Sequence, residues 1–114
     1  MFVRANNSSG GGSAASLIGK SILGGSNVSS SYGGTVLNSG KESILANVVG
    51  INSVRIYYDY TIIVYGYVGD TKTQIAETST QNSYVDVDVS NYERISFNRK
   101  TGNNTRVSDV IVLS

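Results

Sequence analysis

From residue 42 onward, apolar side chains recur at every second position in short runs, and turn-forming residues bound each run. Alternation of this kind is the mark of a β-strand with one buried face. The clearest case is Tyr84-Val85-Asp86-Val87-Asp88-Val89, which sets its valines on one face and Tyr84, Asp86 and Asp88 on the other. Val54–Tyr60 alternates likewise, with Val54, Ile56, Tyr58 and Tyr60 opposite Arg55, Tyr57 and Asp59. Thr61–Val68 is apolar on both faces, Ile62, Val64 and Val68 against Ile63, Tyr65 and Tyr67, which predicts a central strand or one buried against a partner. Further runs at Ser43–Val49, Thr73–Thr78, Arg94–Lys100 and Arg106–Leu113 complete a set of six or seven. Gly69-Asp70-Thr71-Lys72 and Thr101-Gly102-Asn103-Asn104 read as hairpin loops. Strands spaced by roughly 8–12 residues predict an all-β fold: a small antiparallel β-sandwich, jelly-roll-like, over residues 42–114.

The first 41 residues have a different texture. They hold 9 Gly, 10 Ser and 4 Asn. Such a segment offers little apolar surface against an ordering cost of about 1–2 kcal/mol per residue. It reads as an extended Gly/Ser-rich N-terminal arm, residues 1–41, whose fixed path would need neighbouring molecules. Met1-Phe2-Val3 forms an apolar tip. Residues 13–23 suit a short helix, with Ser13 as N-cap, Ile18 and Ile22 one turn apart, and Gly24-Gly25 as the stop. Phe2, Val3, Leu17, Ile18, Ile22 and Leu23 are the arm's candidate interface residues.

Composition narrows the chemistry. The chain lacks Cys, so neither disulfides nor thiolate metal sites are available. It also lacks His, which removes the commonest general base and metal ligand. Net charge is +1, too small a field to draw nucleic acid or an acidic membrane. No apolar run nears the roughly 18 residues needed to span a bilayer, and no signal-peptide core is visible, so a soluble protein is expected. Charge is divided unevenly: residues 1–41 carry Arg4, Lys20 and Lys41 and no acid, whereas the remainder carries six basic and eight acidic side chains. A cationic arm on a faintly acidic body suits contact between copies.

Candidate catalytic motifs are weak. Gly19-Lys20-Ser21 matches the end of a phosphate-binding loop, but that loop needs a glycine where Ala14 stands. Asp86 and Asp88 point the same way, as calcium ligands would, yet no glycine-bearing turn accompanies them. Carboxylate pairs for hydrolysis, Asp86 with Asp88 or Asp59 with Glu77, have no cleft to serve. Arg94, Arg99, Lys100 and Arg106 gather near the last hairpin with too few aromatics for a nucleic-acid surface. The expectation is therefore no enzyme, no cofactor and no metal. Tyrosine is the most suggestive residue: Tyr57, Tyr58, Tyr60, Tyr65 and Tyr67 fall within eleven positions. Its flat ring and hydroxyl suit sugar stacking and protein interfaces, as well as ordinary cross-strand pairing. Tyr57, Tyr65 and Tyr67 are the candidate recognition residues, with Tyr57 joining the other two from the next strand.

The segments Tyr84–Tyr92, Ile95-Ser96-Phe97 and Ser108–Ser114 resemble the closing strands of small β-sandwich modules. Such modules occur in tailed-phage structural proteins (tail fibre, baseplate or capsid-fibre components) and in carbohydrate-binding jelly rolls. The leader is similar to the anchoring arms of virion proteins. The phage resemblance implies a structural, non-enzymatic subunit located in the virion, with copies of itself in a ring or trimer and other virion proteins as partners. The alternative is a glycan- or receptor-binding module that uses a tyrosine-rich sheet face to hold a host surface glycan.

Overall fold

The computed structural model describes residues 17–23, 28–31, 34–37, 43–100 and 105–114. The strands are β1 (Val28–Ser31), β2 (Gly34–Leu37), β3 (Ser43–Asn47), β4 (Ser53–Tyr58), β5 (Ile62–Val68), β6 (Thr71–Glu77), β7 (Ser83–Asp88), β8 (Arg94–Arg99) and β9 (Thr105–Val112). They form a five-stranded sheet, β1-β2-β9-β4-β7, and a four-stranded sheet, β3-β8-β5-β6. Every strand pair is antiparallel. From β2 to β9 the chain changes sheet at each connection except the β5–β6 hairpin. This is the course of a jelly roll, with β1 added at an edge.

Burial follows the alternation except at Tyr60 and Val68, which the alternation set with the buried rows but which are exposed. Val54, Ile56 and Tyr58 of β4 point inward, as do Ile62 and Val64 of β5, Ile95 and Phe97 of β8, and Val107, Val110 and Val112 of β9. Each fully buried side chain of this size contributes roughly 1.5–3 kcal/mol, so this one layer between the sheets holds the sandwich together. β5 lies inside its sheet, between β8 and β6, as its two apolar faces predict.

Two bulges adjust which side chains face out. In β6, Ala76 pairs with Val64 but Gln74 pairs with Tyr65, so Ile75 is the extra residue. Ile75 and Ala76 both pack against the core. The bulge thus turns Gln74 and Lys72 to the same side as Tyr65 and Tyr67, where uninterrupted alternation would have pointed them inward. In β9, Val107 pairs with Tyr58 and Asp109 with Tyr57, which leaves Ser108 as the extra residue.

The leader departs from expectation. β1 and β2 both lie within the segment read as an arm, and β2 pairs with β9, Val36 opposite Arg106. Ser21 forms an antiparallel bridge with Ile111. Gly19 N donates to Val112 O at 2.8 Å, and Ile22 N donates to Val110 O at 2.9 Å. Leu17, Ile22 and Leu23 pack, partly buried, on the core of their own sandwich, while Ile18 is exposed. Nor does a helix run to residue 23. Lys20 N donates to Leu17 O at 2.8 Å across a tight turn, and Gly19 at φ +84° takes the left-handed position that only glycine fills cheaply. Phe2, Val3 and residues 13–16 of the predicted helix lie outside the described residues.

Candidate functional site

The sandwich turns one tyrosine cluster outward on each side. On the four-stranded sheet, Tyr65 and Tyr67 stand on the outer side of β5, half-buried. Register places Tyr65 between Gln74 of β6 and Ser96 of β8, and Tyr67 between Lys72 and Arg94. Ile63, Asn98 and Glu77 continue the same row. Two cations lie against the rings: Lys72 Nζ is 4.1 Å from the Tyr65 ring centre, and Arg94 Cζ is 4.9 Å from that of Tyr67. Such contacts are worth about 0.5–1 kcal/mol when exposed and fix ring orientation.

The hairpin that carries this face is tied down at its tip. Val68 pairs with Thr71 across Gly69-Asp70, with Gly69 at φ +57°, as a primed two-residue turn requires. Gly69 N donates to Glu93 Oε1 at 2.9 Å, and Arg94 Nη2 donates to Gly69 O at 2.8 Å. At the other end Lys100 Nζ lies 2.9 Å from Glu77 Oε2 and also donates to Thr78 O at 2.9 Å. That Lys100 hydrogen bond holds the Glu77 carboxyl below the ordinary carboxylate range.

The five-stranded sheet shows a different cluster. Tyr57 of β4 pairs with Tyr84 of β7, their ring centres 5.7 Å apart and tilted by 55°. Arg55 Nε and Nη2 donate to Asp86 Oδ1 and Oδ2 at 2.7 and 2.9 Å, a two-pronged ion pair. The Arg55 guanidinium also sits 4.2 Å from the Tyr84 ring centre. Asp86 is held below the usual carboxylate range, chiefly by its hydrogen bond to Arg55, and Arg55 is raised in turn, chiefly by Asp86.

The predicted trio of tyrosines is therefore split. Tyr65 and Tyr67 share a face, but Tyr57 is on the opposite side of the sandwich. The chain changes sheet at residues 59–61, where Asp59 Oδ1 accepts from Tyr60 N at 2.7 Å and from Arg106 N at 2.6 Å. Sequence reading missed Lys72, Gln74, Ser96 and Asn98 as companions of Tyr65 and Tyr67, and Tyr84 as the partner of Tyr57. The outward position of Tyr84 was legible; its pairing depends on topology.

The remaining candidates are used structurally. The Gly19-Lys20-Ser21 segment is a turn and edge pairing on β9. Asp86 engages Arg55, and Asp88 Oδ1 accepts from Ser90 N and Oγ at 2.9 and 2.7 Å. Among the described residues, no group of three or more acidic side chains gathers to hold a metal ion. The basic residues near the last hairpin disperse: Arg94 to Tyr67, Lys100 to Glu77 and Arg106 to Asp59 at 3.3 Å.

No family model matches the sequence, and no curated protein matches it. Solved structures do resemble the fold. An alanine variant of a family 29 carbohydrate-binding module, studied for its ligand recognition, superposes with a TM-score of 0.56 at 17% identity, over 84% of this chain and 87% of that one. An arginine variant of a carbohydrate-binding module of family 29 gives 0.54 at 19% identity, over 79% and 78%. These likenesses support the β-sandwich. They overturn the expected resemblance to tail-fibre, baseplate or capsid-fibre components, and with it the reading as a virion subunit located in a phage particle. Leu17, Ile22 and Leu23 find their packing surface on the chain's own core.

Proposed function

We propose that this chain is a non-catalytic glycan-binding module whose site is the outer face of the four-stranded sheet, centred on Tyr65 and Tyr67. The observation that carries the proposal is the placement of two tyrosines two residues apart on β5, with polar side chains from β6 and β8 on both flanks. A sugar ring has apolar C–H faces and a rim of hydroxyls. A tyrosine ring, with its electron-rich face, suits the first; Lys72, Gln74, Arg94 and Asn98 suit the second. The fold likeness to carbohydrate-binding modules supports the same reading, since those proteins are named for the ligands they hold.

Isothermal titration of the intact chain with soluble oligosaccharides tests it. Tyr65→Ala and Tyr67→Ala should each weaken binding by about tenfold or more, equivalent to about 1.4 kcal/mol or more. The melting temperature should change little. Wild-type affinity in both variants would assign the sugar to another surface.

A further inference from the structure

The geometry points to a second, independent glycan-binding site on the outer face of the five-stranded sheet, formed by Tyr57, Tyr84, Arg55 and Asp86. It rests on the glycan-binding reading above and extends it from one face to two. Tyr84 is 50% exposed and Tyr57 36%, and among the described residues they are the large apolar side chains that β4, β7 and β9 leave exposed on this sheet. Their rings meet at 5.7 Å and 55°, a shallow aromatic angle open to solvent. Arg55 and Asp86 are held in fixed positions at its edge by their paired hydrogen bonds of 2.7 and 2.9 Å. A charged donor and a charged acceptor, set beside two rings and already ordered, can meet a sugar's hydroxyls with little further loss of side-chain freedom.

The size of the patch argues for a sugar over a protein. A stable protein interface covers about 800 Å² on each partner and centres on a contiguous apolar cluster. Among the described residues, two partly exposed tyrosines bordered by Arg55, Asp86 and Asp109 fall well short of that, yet they match one or two sugar rings. The faces of a sandwich lie on opposite sides of a core about 10 Å thick. One glycan chain cannot lie flat on both, so two occupied sites would let the module bridge two chains, with the avidity that follows.

Nuclear magnetic resonance titration of the isotope-labelled intact chain separates the outcomes, with cellohexaose, mannohexaose and xylohexaose as probes. The expected result is two groups of shifting amides, one around Tyr65 and Tyr67 and one around Arg55 and Tyr84, each with its own isotherm. Tyr84→Ala should weaken the second isotherm at least tenfold and leave the first unchanged; Tyr65→Ala should do the reverse. Arg55→Gln, which keeps the tyrosines, serves if Tyr84→Ala loses its dispersed spectrum, and should weaken the second isotherm alone. Shifts confined to the Tyr65 face, or a second isotherm indifferent to both Tyr84→Ala and Arg55→Gln, would overturn the second site and spare the first. No shift with any probe would overturn both.

Discussion

Adding a single methyl group at Gly66 tests how the tyrosine face is supported. Gly66 lies on the inner side of β5, between Tyr65 and Tyr67, and the ring of Tyr92 covers it. A Cβ built there would lie 2.6 Å from Cδ1 and Cγ of Tyr92 and 2.9 Å from Cδ2. Contacts this short cannot stand. The clash falls on the base of the ring, where rotating the side chain gives little relief. The backbone around Tyr92 is also pinned: Tyr92 N donates to Val89 O at 3.0 Å, and Glu93 N donates to Tyr67 O at 2.8 Å. Overpacking of this kind costs about 1–3 kcal/mol, while replacing a strand glycine returns at most about 1 kcal/mol through the unfolded chain. Gly66→Ala should therefore lose about 1–2 kcal/mol, a fall in melting temperature of roughly 4–10 °C for a domain of this size. Urea and thermal unfolding followed by circular dichroism read this directly. Because Tyr65 and Tyr67 flank the shifted residue, sugar affinity should fall as well. The decisive arm is the double variant. Tyr92→Ala alone opens a cavity, and the Gly66→Ala methyl would partly fill it, so the double variant should be more stable than the sum of the single losses predicts. A stable Gly66→Ala, or strictly additive losses, would refute the packing argument.

Other consequences are open to the same instruments. Thr78 Oγ1 accepts from the buried Ile62 N–H at 2.9 Å, so Thr78→Val should cost about 1–3 kcal/mol in urea unfolding, with Thr78→Ser recovering most of it. Gly69→Ala meets no neighbouring atom but forces a side chain to φ +57°, which should cost about 1 kcal/mol and loosen the hairpin tip. Asp86 and Glu77 are both depressed in the folded state, so the stability they lend is present above the ordinary carboxylate range, about pH 4, and is lost as pH falls through their lower folded values. Melting temperatures should therefore drop below about pH 4, and Asp86→Asn with Glu77→Gln should flatten that slope.

How much the sequence discloses depends on which rule governs each element. Period-two alternation set Val85, Val87 and Val89 against Tyr84, Asp86 and Asp88, and the structure keeps both faces, because nothing interrupts β7. The same rule misled at residues 57–67. Val54, Ile56, Tyr58, Ile62 and Val64 continue one alternation across the passage between sheets, so Tyr57 looked like a neighbour of Tyr65. Only Asp59 marks the crossing, through hydrogen bonds to residues distant in sequence. The bulge at Ile75, which brings Gln74 and Lys72 to the tyrosine side, is set by pairing with β5 and leaves no local signal. β1 and β2 were illegible for another reason. β1 pairs with β2 and β2 with β9 through the backbone, and composition says little about such pairing. Reading the leader as an arm that needed foreign surfaces overlooked the chain's own β9 as the surface it pairs with.

The two tyrosine faces are ordered by different means. On the four-stranded sheet, order comes from the backbone outward. Arg94 lies against Tyr67 and at the same time holds the Gly69 carbonyl at the hairpin tip, while Glu93 accepts from the Gly69 N–H. The residue that orients one ring therefore also fixes the turn closing the strand pair beneath it. Tyr65 and Tyr67 held this way stand in a row along β5. On the five-stranded sheet, order comes from side chain to side chain: Asp86 orients Arg55, and Arg55 orients Tyr84. That cluster is compact and spans two strands, β4 and β7. Both arrangements follow from one covalent fact, that outward residues on β4, β5, β7 and β8 are mostly tyrosines and charged or polar side chains while the inward ones are mostly apolar, Tyr58 and Phe97 among them. The inward set forms the core between the sheets, and the outward set ties strands together through Arg55–Asp86, Lys100–Glu77 and Arg94–Gly69.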